Sequence, residues 1–241
     1  MIGISHLGLR QRLPKGKEWG QIAIYGLLAN TIYLGLYVIA MRQVSAGLGT
    51  LAVATNPVFI NLISAIFFRE RLRRVTLFSL LLCMTGVVLA AWPLLRNSQA
   101  TPTGLILLLV SMVAYSLSVL YFSRMQWNGL SRLTINGWQV LLGGVFLLPV
   151  MAFFYQPSLN VWNVKGLGAI VWLAIPVSIA AVQLWLFLLH ADAARSSFWL
   201  FLCPVFGFIL SNIFTHEPLT VYTFGGMALV IGGIYWENVM K

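Results

Sequence analysis

Uncharged polar and aromatic side chains recur at helical spacing inside apolar stretches of this sequence. Asn30, Tyr33 and Tyr37 follow one another at intervals of three and four residues, which places them on one face of a helix. Amide and phenol groups on such a face can hydrogen-bond a small polar solute, and aromatic rings can cover its apolar part. The chemistry that these residues indicate is recognition.

Four further residues of the same kind occur in other apolar stretches, namely Asn56, Tyr115, Gln183 and Trp199. We expect all seven side chains to line one aqueous cavity, because a polar group in a membrane-spanning helix usually faces protein or a cavity. The alternative is that each of them only makes a helix-to-helix hydrogen bond, which contributes about 0.6–2 kcal/mol.

Residues that could act as acid, base or nucleophile do not cluster. All carboxylates and histidines lie at predicted helix ends: Glu18, Glu70, Asp192, Glu217, Glu237, His6, His190 and His216. Neither a GxSxG nor an HExxH motif occurs, so we predict no enzyme activity, no metal and no cofactor. Cys83 and Cys203 lie in apolar runs and are predicted to be core thiols.

Composition shows what must position these side chains. The chain has 241 residues, of which 60% are hydrophobic and 8% charged, against about 25% charged residues in soluble domains. Eight apolar stretches are each long enough to cross a hydrocarbon core of about 30 Å. They lie near 20–41, 46–68, 75–95, 104–123, 133–154, 166–189, 194–214 and 217–236. We predict an all-α, multi-pass integral membrane protein of the plasma (inner) membrane.

One stretch occurs twice. The sequence from 56 to 72 matches that from 203 to 219 at an offset of 147 residues, which aligns Pro57 with Pro204 and Glu70 with Glu217. Proline-interrupted spans at corresponding positions of two repeats point to the substrate site of a secondary transporter. We expect both prolines to break their helices and consider a gating role for them and for the two carboxylates. The alternative is two kinks that only improve helix packing.

The basic residues predict the orientation. With the N-terminus inside, twelve of the fifteen lysines and arginines face the cytoplasm, and only Arg42, Arg96 and Lys165 face outward. Both termini are then cytoplasmic. Glu70 faces inward and Glu217 outward, so the two copies cross the membrane in opposite directions. We predict inverted repeats: a partial first repeat of three helices in residues 1–98 and a complete second repeat of five in residues 99–241, with two N-terminal helices of a five-plus-five form absent.

The paired signatures resemble those of the EamA-type drug/metabolite transporters. They read Arg69-Glu70-Arg71-Leu72 and His216-Glu217-Pro218-Leu219, and the next helices carry Gly86 and Gly232-Gly233. The resemblance covers the chain from Trp19 onward. It implies a tandem of five-helix units whose members export or import small metabolites, including amino acids, purine-type compounds, sugars and drugs.

We therefore predict a secondary transporter of small metabolites, such as amino acids or drug-like solutes, that works by alternating access through a central cavity. The alternative is a truncated, non-transporting or partner-dependent membrane subunit. The expected partners are a small solute and the lipid bilayer.

The net charge of +10 comes from lysines and arginines in the loops and in the N-terminal segment, where they set the orientation in the membrane, and it does not indicate nucleic acid. Gly225, Gly226, Gly232 and Gly233 share a helix face, which we expect to pack within the bundle; a homodimer contact is the alternative.

Overall fold

The computed structural model describes residues 1–44, 46–97, 101–154, 163–215 and 220–240. In these ranges the regular secondary structure is helical and no β-strand occurs. Seven helices among the described residues are long and apolar enough to cross a membrane. The predicted class, an all-helical multi-pass integral membrane protein, is confirmed.

Nine helices account for most of the described ranges. Helix α1 joins Lys17–Gly26, the π-helical Leu27–Ile32 and Tyr33–Met41; α2 is Ala46–Val53, α3 Asn56–Phe67, α4 Arg74–Asn97, α5 Pro102–Arg124 and α6 Arg132–Phe154. Helix α7 joins Val164–Trp172, the π-helical Leu173–Ala181 and Val182–Ala191; α8 joins Ala193–Ser197, the 3-10 turn Phe198–Phe201 and Leu202–Thr215; α9 is Val221–Val239.

The number of candidate spans differs from the eight predicted. Helices α2 and α3 together form one predicted span, and the predicted span near 217–236 corresponds to α9. Helix α9 is not among the seven candidates that the described residues contain. Its four glycines and its polar last turn, with Glu237 and Asn238, reduce the apolar content of this 19-residue helix.

The basic segment before α1 is structured. Residues Ile4–Gly8 form a π-helical turn that packs against the start of α6, where Ser5 and Thr134 share a hydrogen bond of 2.6 Å between their hydroxyls. The Arg12 guanidinium donates two hydrogen bonds of 2.8 Å to the Glu18 carboxylate at the start of α1. This interaction raises the pKa of the Arg12 guanidinium. A carboxylate in the first turn also suits the positive end of the helix dipole.

The chain divides into two compact units, each containing helices from both the 1–98 and the 99–241 segments. Unit 1 consists of residues 1–35 and 121–192. In it, α1 crosses α6 at two glycines: a Cβ on Gly26 would lie 2.5 Å from the Gln139 carbonyl oxygen, and one on Gly143 would lie 2.7 Å from the Gly26 carbonyl oxygen. Residues without side chains at these positions allow the two backbones to touch.

Unit 2 consists of residues 36–120 and 193–241. Its most extensive packing is between α4 and α9, which run antiparallel. At the centre of the crossing the Cys83 thiol donates to the Val230 carbonyl at 3.5 Å, and these two residues are 147 positions apart. That separation equals the offset of the internal repeat.

Two glycines of the predicted packing face lie in this crossing. A Cβ on Gly226 would meet the Gly86 carbonyl oxygen and Ala90, and a Cβ on Gly233 would meet the Cys83 sulfur. Gly232, by contrast, has nothing within 4 Å of its Cβ position. The glycine face therefore packs inside unit 2 through Gly226 and Gly233.

Candidate functional site

Both prolines of the repeat lie just after a break in the helix. Helix α2 ends at Val53, and α3 starts at Asn56 with Pro57 in its first turn. Proline is well tolerated there because the amide N–H of a first-turn residue has no partner within the helix. Two side chains bond to backbone carbonyls beside the break: the Thr55 hydroxyl donates to the Ala52 carbonyl at 2.6 Å, and the Asn61 amide donates to the Pro57 carbonyl at 2.8 Å.

The second copy has its break at the corresponding place. In α8 the 3-10 turn Phe198–Phe201 ends immediately before the α-helical Leu202–Thr215, and Pro204 is buried in the first turn of that segment. The hydroxyl of Ser197, just before the turn, donates to the Ala194 carbonyl at 2.6 Å. Each proline thus begins a helical segment after an interruption, and neither lies within a continuous α-helix.

Glu70 lies on the exposed loop that follows α3. The Ser64 hydroxyl in the last part of α3 donates a hydrogen bond to its carboxylate, and Arg69 adopts a left-handed backbone conformation with φ of 54°. The carboxylate therefore ties the loop back onto the end of the helix. The corresponding Glu217 lies outside the described residues.

A chain of side-chain amides links three helices in unit 1. The Asn30 amide on α1 donates to the Gln139 side-chain oxygen on α6. The Gln139 amide donates to the Asn136 side-chain oxygen at 3.0 Å, and the Asn136 amide donates to the Ser178 backbone carbonyl on α7 at 2.8 Å. Asn136 and Gln139 are both buried.

The Ser178 carbonyl, at which this amide chain ends, fixes the orientation of every side-chain amide in it. A backbone carbonyl can only accept a hydrogen bond, so Asn136 must present its NH₂ group to Ser178, and Gln139 and Asn30 must follow the same direction. Asn30 therefore keeps its NH₂ group toward Gln139 and leaves its Oδ1 atom as a hydrogen-bond acceptor. No described residue donates to that oxygen.

The other predicted site residues of unit 1 are half-buried. Tyr33 lies three residues after Asn30 in α1. Gln183 on α7 donates to the Arg132 carbonyl at the long distance of 3.5 Å. Unit 1 thus contains three of the seven predicted residues, and only Asn30 belongs to the amide chain.

Unit 2 contains the remaining four. Asn56 is 1% exposed; its oxygen accepts from Ser116 at 3.4 Å, and its buried NH₂ group has no partner among the described residues. Tyr37 and Tyr115 are half-buried. Trp199 is 47% exposed and lines an apolar groove with Leu202 and Tyr235 that includes none of the other six residues.

Sequence reasoning left two members of the amide chain out of the site. Gln139 and Asn136 stand three residues apart on α6, and that spacing of two amides in an apolar helix was the signal that could have found them. Their link to Ser178 could not be predicted, since it depends on which helices pack together. Among the described residues there is no group of histidine, cysteine and acidic side chains that could hold a metal ion.

The EamA-like transporter family model matches residues 1–92 and 102–238, which is nearly the whole chain. The chain belongs to the EamA-like transporter family. The match begins at residue 1, earlier than the Trp19 that the motifs predicted. Family membership, together with the apolar helices, makes this protein a multi-pass membrane transporter, and it indicates a transporter rather than an enzyme.

Known relatives agree with this assignment. The chain is 28% identical over 222 residues to an uncharacterized transporter of Archaeoglobus fulgidus, covering 92% of this chain and 78% of that protein. It is 26% identical over 232 residues to the uncharacterized transporter YvbV of Bacillus subtilis, covering 94% and 74%. One protein crystal structure matches the entire chain with a TM-score of 0.80 at 19% identity, and 84% of that structure is covered. At that identity, the structural match shows the fold alone.

Proposed function

We propose that this EamA-like transporter is a secondary transporter that moves small metabolites by alternating access through a central cavity. The observation that carries the proposal is the pair of helix breaks before Pro57 and Pro204, which lie 147 residues apart. Interrupted helices at corresponding positions of two repeats are where transporters of this kind expose backbone groups to a substrate.

The repeats are inverted in this proposal, with a partial first repeat in residues 1–98 and a complete second repeat in residues 99–241. The antiparallel crossing of α4 and α9 supports this arrangement. Cys83 and Val230 meet at its centre and are equivalent residues of the two copies. Equivalent residues meet in this way when a two-fold axis passes between two helices.

The cavity would be lined by the seven residues Asn30, Tyr33, Tyr37, Asn56, Tyr115, Gln183 and Trp199. The amide chain adds a chemical requirement, because it leaves the Asn30 Oδ1 atom as an acceptor. A solute with an N–H or O–H donor complements that oxygen, and the uncharged lining suits a neutral or zwitterionic molecule. Amino acids and uncharged drug-like solutes that carry an N–H or O–H group meet both conditions.

The membrane would be the plasma (inner) membrane, with both termini in the cytoplasm. The distribution of lysine and arginine supports this orientation, since twelve of the fifteen basic residues fall on one side of the predicted topology. A cysteine introduced beside Arg71 should then be modified by an impermeant thiol reagent only after the cells are opened. Modification in intact cells would contradict the orientation.

Uptake into liposomes tests the transport proposal. The purified chain is reconstituted, and the uptake of labelled leucine, threonine, adenine, glucose and citrate is measured against protein-free liposomes. We expect saturable uptake of at least one neutral or zwitterionic solute, and a loss of at least tenfold in Asn30→Ala. Uptake no faster than in protein-free liposomes for the entire panel, preference for citrate, or unchanged flux in alanine variants at all seven positions would contradict the proposal.

A further inference from the structure

A cavity in unit 1 contains none of the seven residues proposed to bind the transported solute. It has a volume of about 290 Å³ and lies where α5 ends, α6 begins and α7 ends. Its polar lining residues are Ser131, Arg132 and His190, and its aromatic ones are Phe122 and Trp127. These lining residues include two basic side chains and no acidic one.

The aromatic wall of this cavity is fixed in place. The Phe122 and Trp127 ring centroids are 5.5 Å apart, and the buried Tyr25 ring packs 5.3 Å from Phe122. The Trp127 indole N–H donates to the Phe122 carbonyl at 2.9 Å. The indole therefore has its polar atom satisfied and presents only apolar surface to whatever occupies the cavity.

The two basic side chains are available for binding. The Arg132 guanidinium carbon lies 5.0 Å from the centre of the Phe187 ring, and no described residue offers the guanidinium a hydrogen-bond acceptor. His190 is exposed on the last turn of α7 and likewise has no hydrogen-bond partner in the described part of the chain. Arginine has five N–H donors whose planar arrangement matches the oxygens of a phosphate group.

The hydroxyl of Ser131 completes the polar side of the cavity. Its oxygen accepts from the Thr134 backbone N–H at 3.2 Å and so is held at the start of α6. The beginning of this 23-residue helix also contributes a positive dipole end to the same place.

We propose that this cavity binds a singly charged phosphate group through Arg132 and His190. In the membrane, this group is the phosphodiester in the headgroup of an anionic phospholipid. The adjoining surface of α7 is apolar and exposed, with Leu184 and Phe187 among its residues, and it offers a path for acyl chains. Basic pockets between transmembrane helices are typical sites for anionic headgroups. The site is independent of the proposed transport function.

Thermal unfolding of the full-length, delipidated protein in neutral detergent tests this site. The midpoint is measured with increasing dioleoyl-phosphatidylglycerol or dioleoyl-phosphatidylcholine, and separately with inorganic phosphate. We expect phosphatidylglycerol to raise the midpoint more than phosphatidylcholine does. Stabilisation by inorganic phosphate as strong as that by the lipid would support the anion site and assign it to a soluble phosphate.

Three variants separate binding at this site from general effects of charge. Arg132→Gln should weaken the apparent affinity for phosphatidylglycerol at least tenfold. Arg71→Gln, which removes the same charge from an exposed loop, should change that affinity less than twofold. Arg132→Lys keeps the charge without the planar donors and should give an intermediate affinity, which guards against a folding defect in Arg132→Gln. Equal responses of Arg132→Gln and Arg71→Gln, or equal effects of the two lipids on the unchanged protein, would overturn the proposal.

Discussion

At the scale of single residues, the amide chain in unit 1 holds the Asn30 side chain in one orientation. Asn30 was predicted from sequence as a polar residue on a helix face. The structure adds that its NH₂ group is committed to Gln139, through a chain that ends on the Ser178 carbonyl. An asparagine without such a chain can present either end to a solute, whereas this one presents its oxygen.

Gln139→Leu should break the chain in its middle. It removes the acceptor of Asn30 and the donor to Asn136, and it leaves Asn136 buried with an unpaired oxygen. We expect the free energy of unfolding to fall by about 1–3 kcal/mol, and selectivity for donor-bearing solutes to decrease because Asn30 can then rotate. Denaturant titration in detergent measures the first effect and competition in the uptake assay the second.

Thr85→Val provides the control for that experiment. The Thr85 hydroxyl is exposed and, among the residues that the structure describes, bonds only to the Leu81 carbonyl of its own helix, so its loss should leave stability nearly unchanged. If Gln139→Leu were as stable and as selective as Thr85→Val, the amide chain would have no role in either property.

At the scale of helices, much could be predicted from hydrophobic stretches and small residues. Most predicted spans coincide with observed helices to within a few residues, and the glycine face of α9 packs as expected through Gly226 and Gly233. The π-helical segments in α1 and α7 could not be predicted, because the extra residue in such a turn is set by packing against neighbours rather than by local preference. Trp199 was also ambiguous in sequence, since an aromatic residue suits a cavity and a lipid-facing surface equally well.

The crossing of α4 and α9 makes a sharp prediction at this scale. Gly226→Ala places a Cβ against the Gly86 carbonyl oxygen and Ala90, so the helices must separate and stability should fall by about 1–3 kcal/mol. Gly232→Ala, on the same helix but with open space around it, should be neutral or stabilising by up to about 1 kcal/mol. Equal unfolding midpoints for the two variants would show that this crossing is not close-packed.

At the scale of the whole molecule, the sequence indicated the class of protein but not how the predicted site residues are distributed. Composition and paired motifs led to a helical membrane transporter, which the fold and the family match support. The seven predicted site residues, however, divide between two compact units, with three in unit 1 and four in unit 2. Side-chain identity and spacing along one helix cannot specify such a division, because it depends on contacts between residues more than a hundred positions apart.

Transport by the proposed route requires that the seven predicted site residues line a water-filled cavity. The direct measurement uses a Cys83→Ala/Cys203→Ala parent with single cysteines at Asn30, Tyr115 or Gln183, and compares their rates of reaction with a charged, water-soluble methanethiosulfonate reagent. Leu184→Cys is the matched control, because Leu184 adjoins Gln183 but is 68% exposed on the apolar surface. We predict that each of the three cysteines reacts at least tenfold faster than Leu184→Cys, since the thiol must ionise in water to react. Equally slow reaction at all four positions would contradict the cavity, and with it the proposed route of transport.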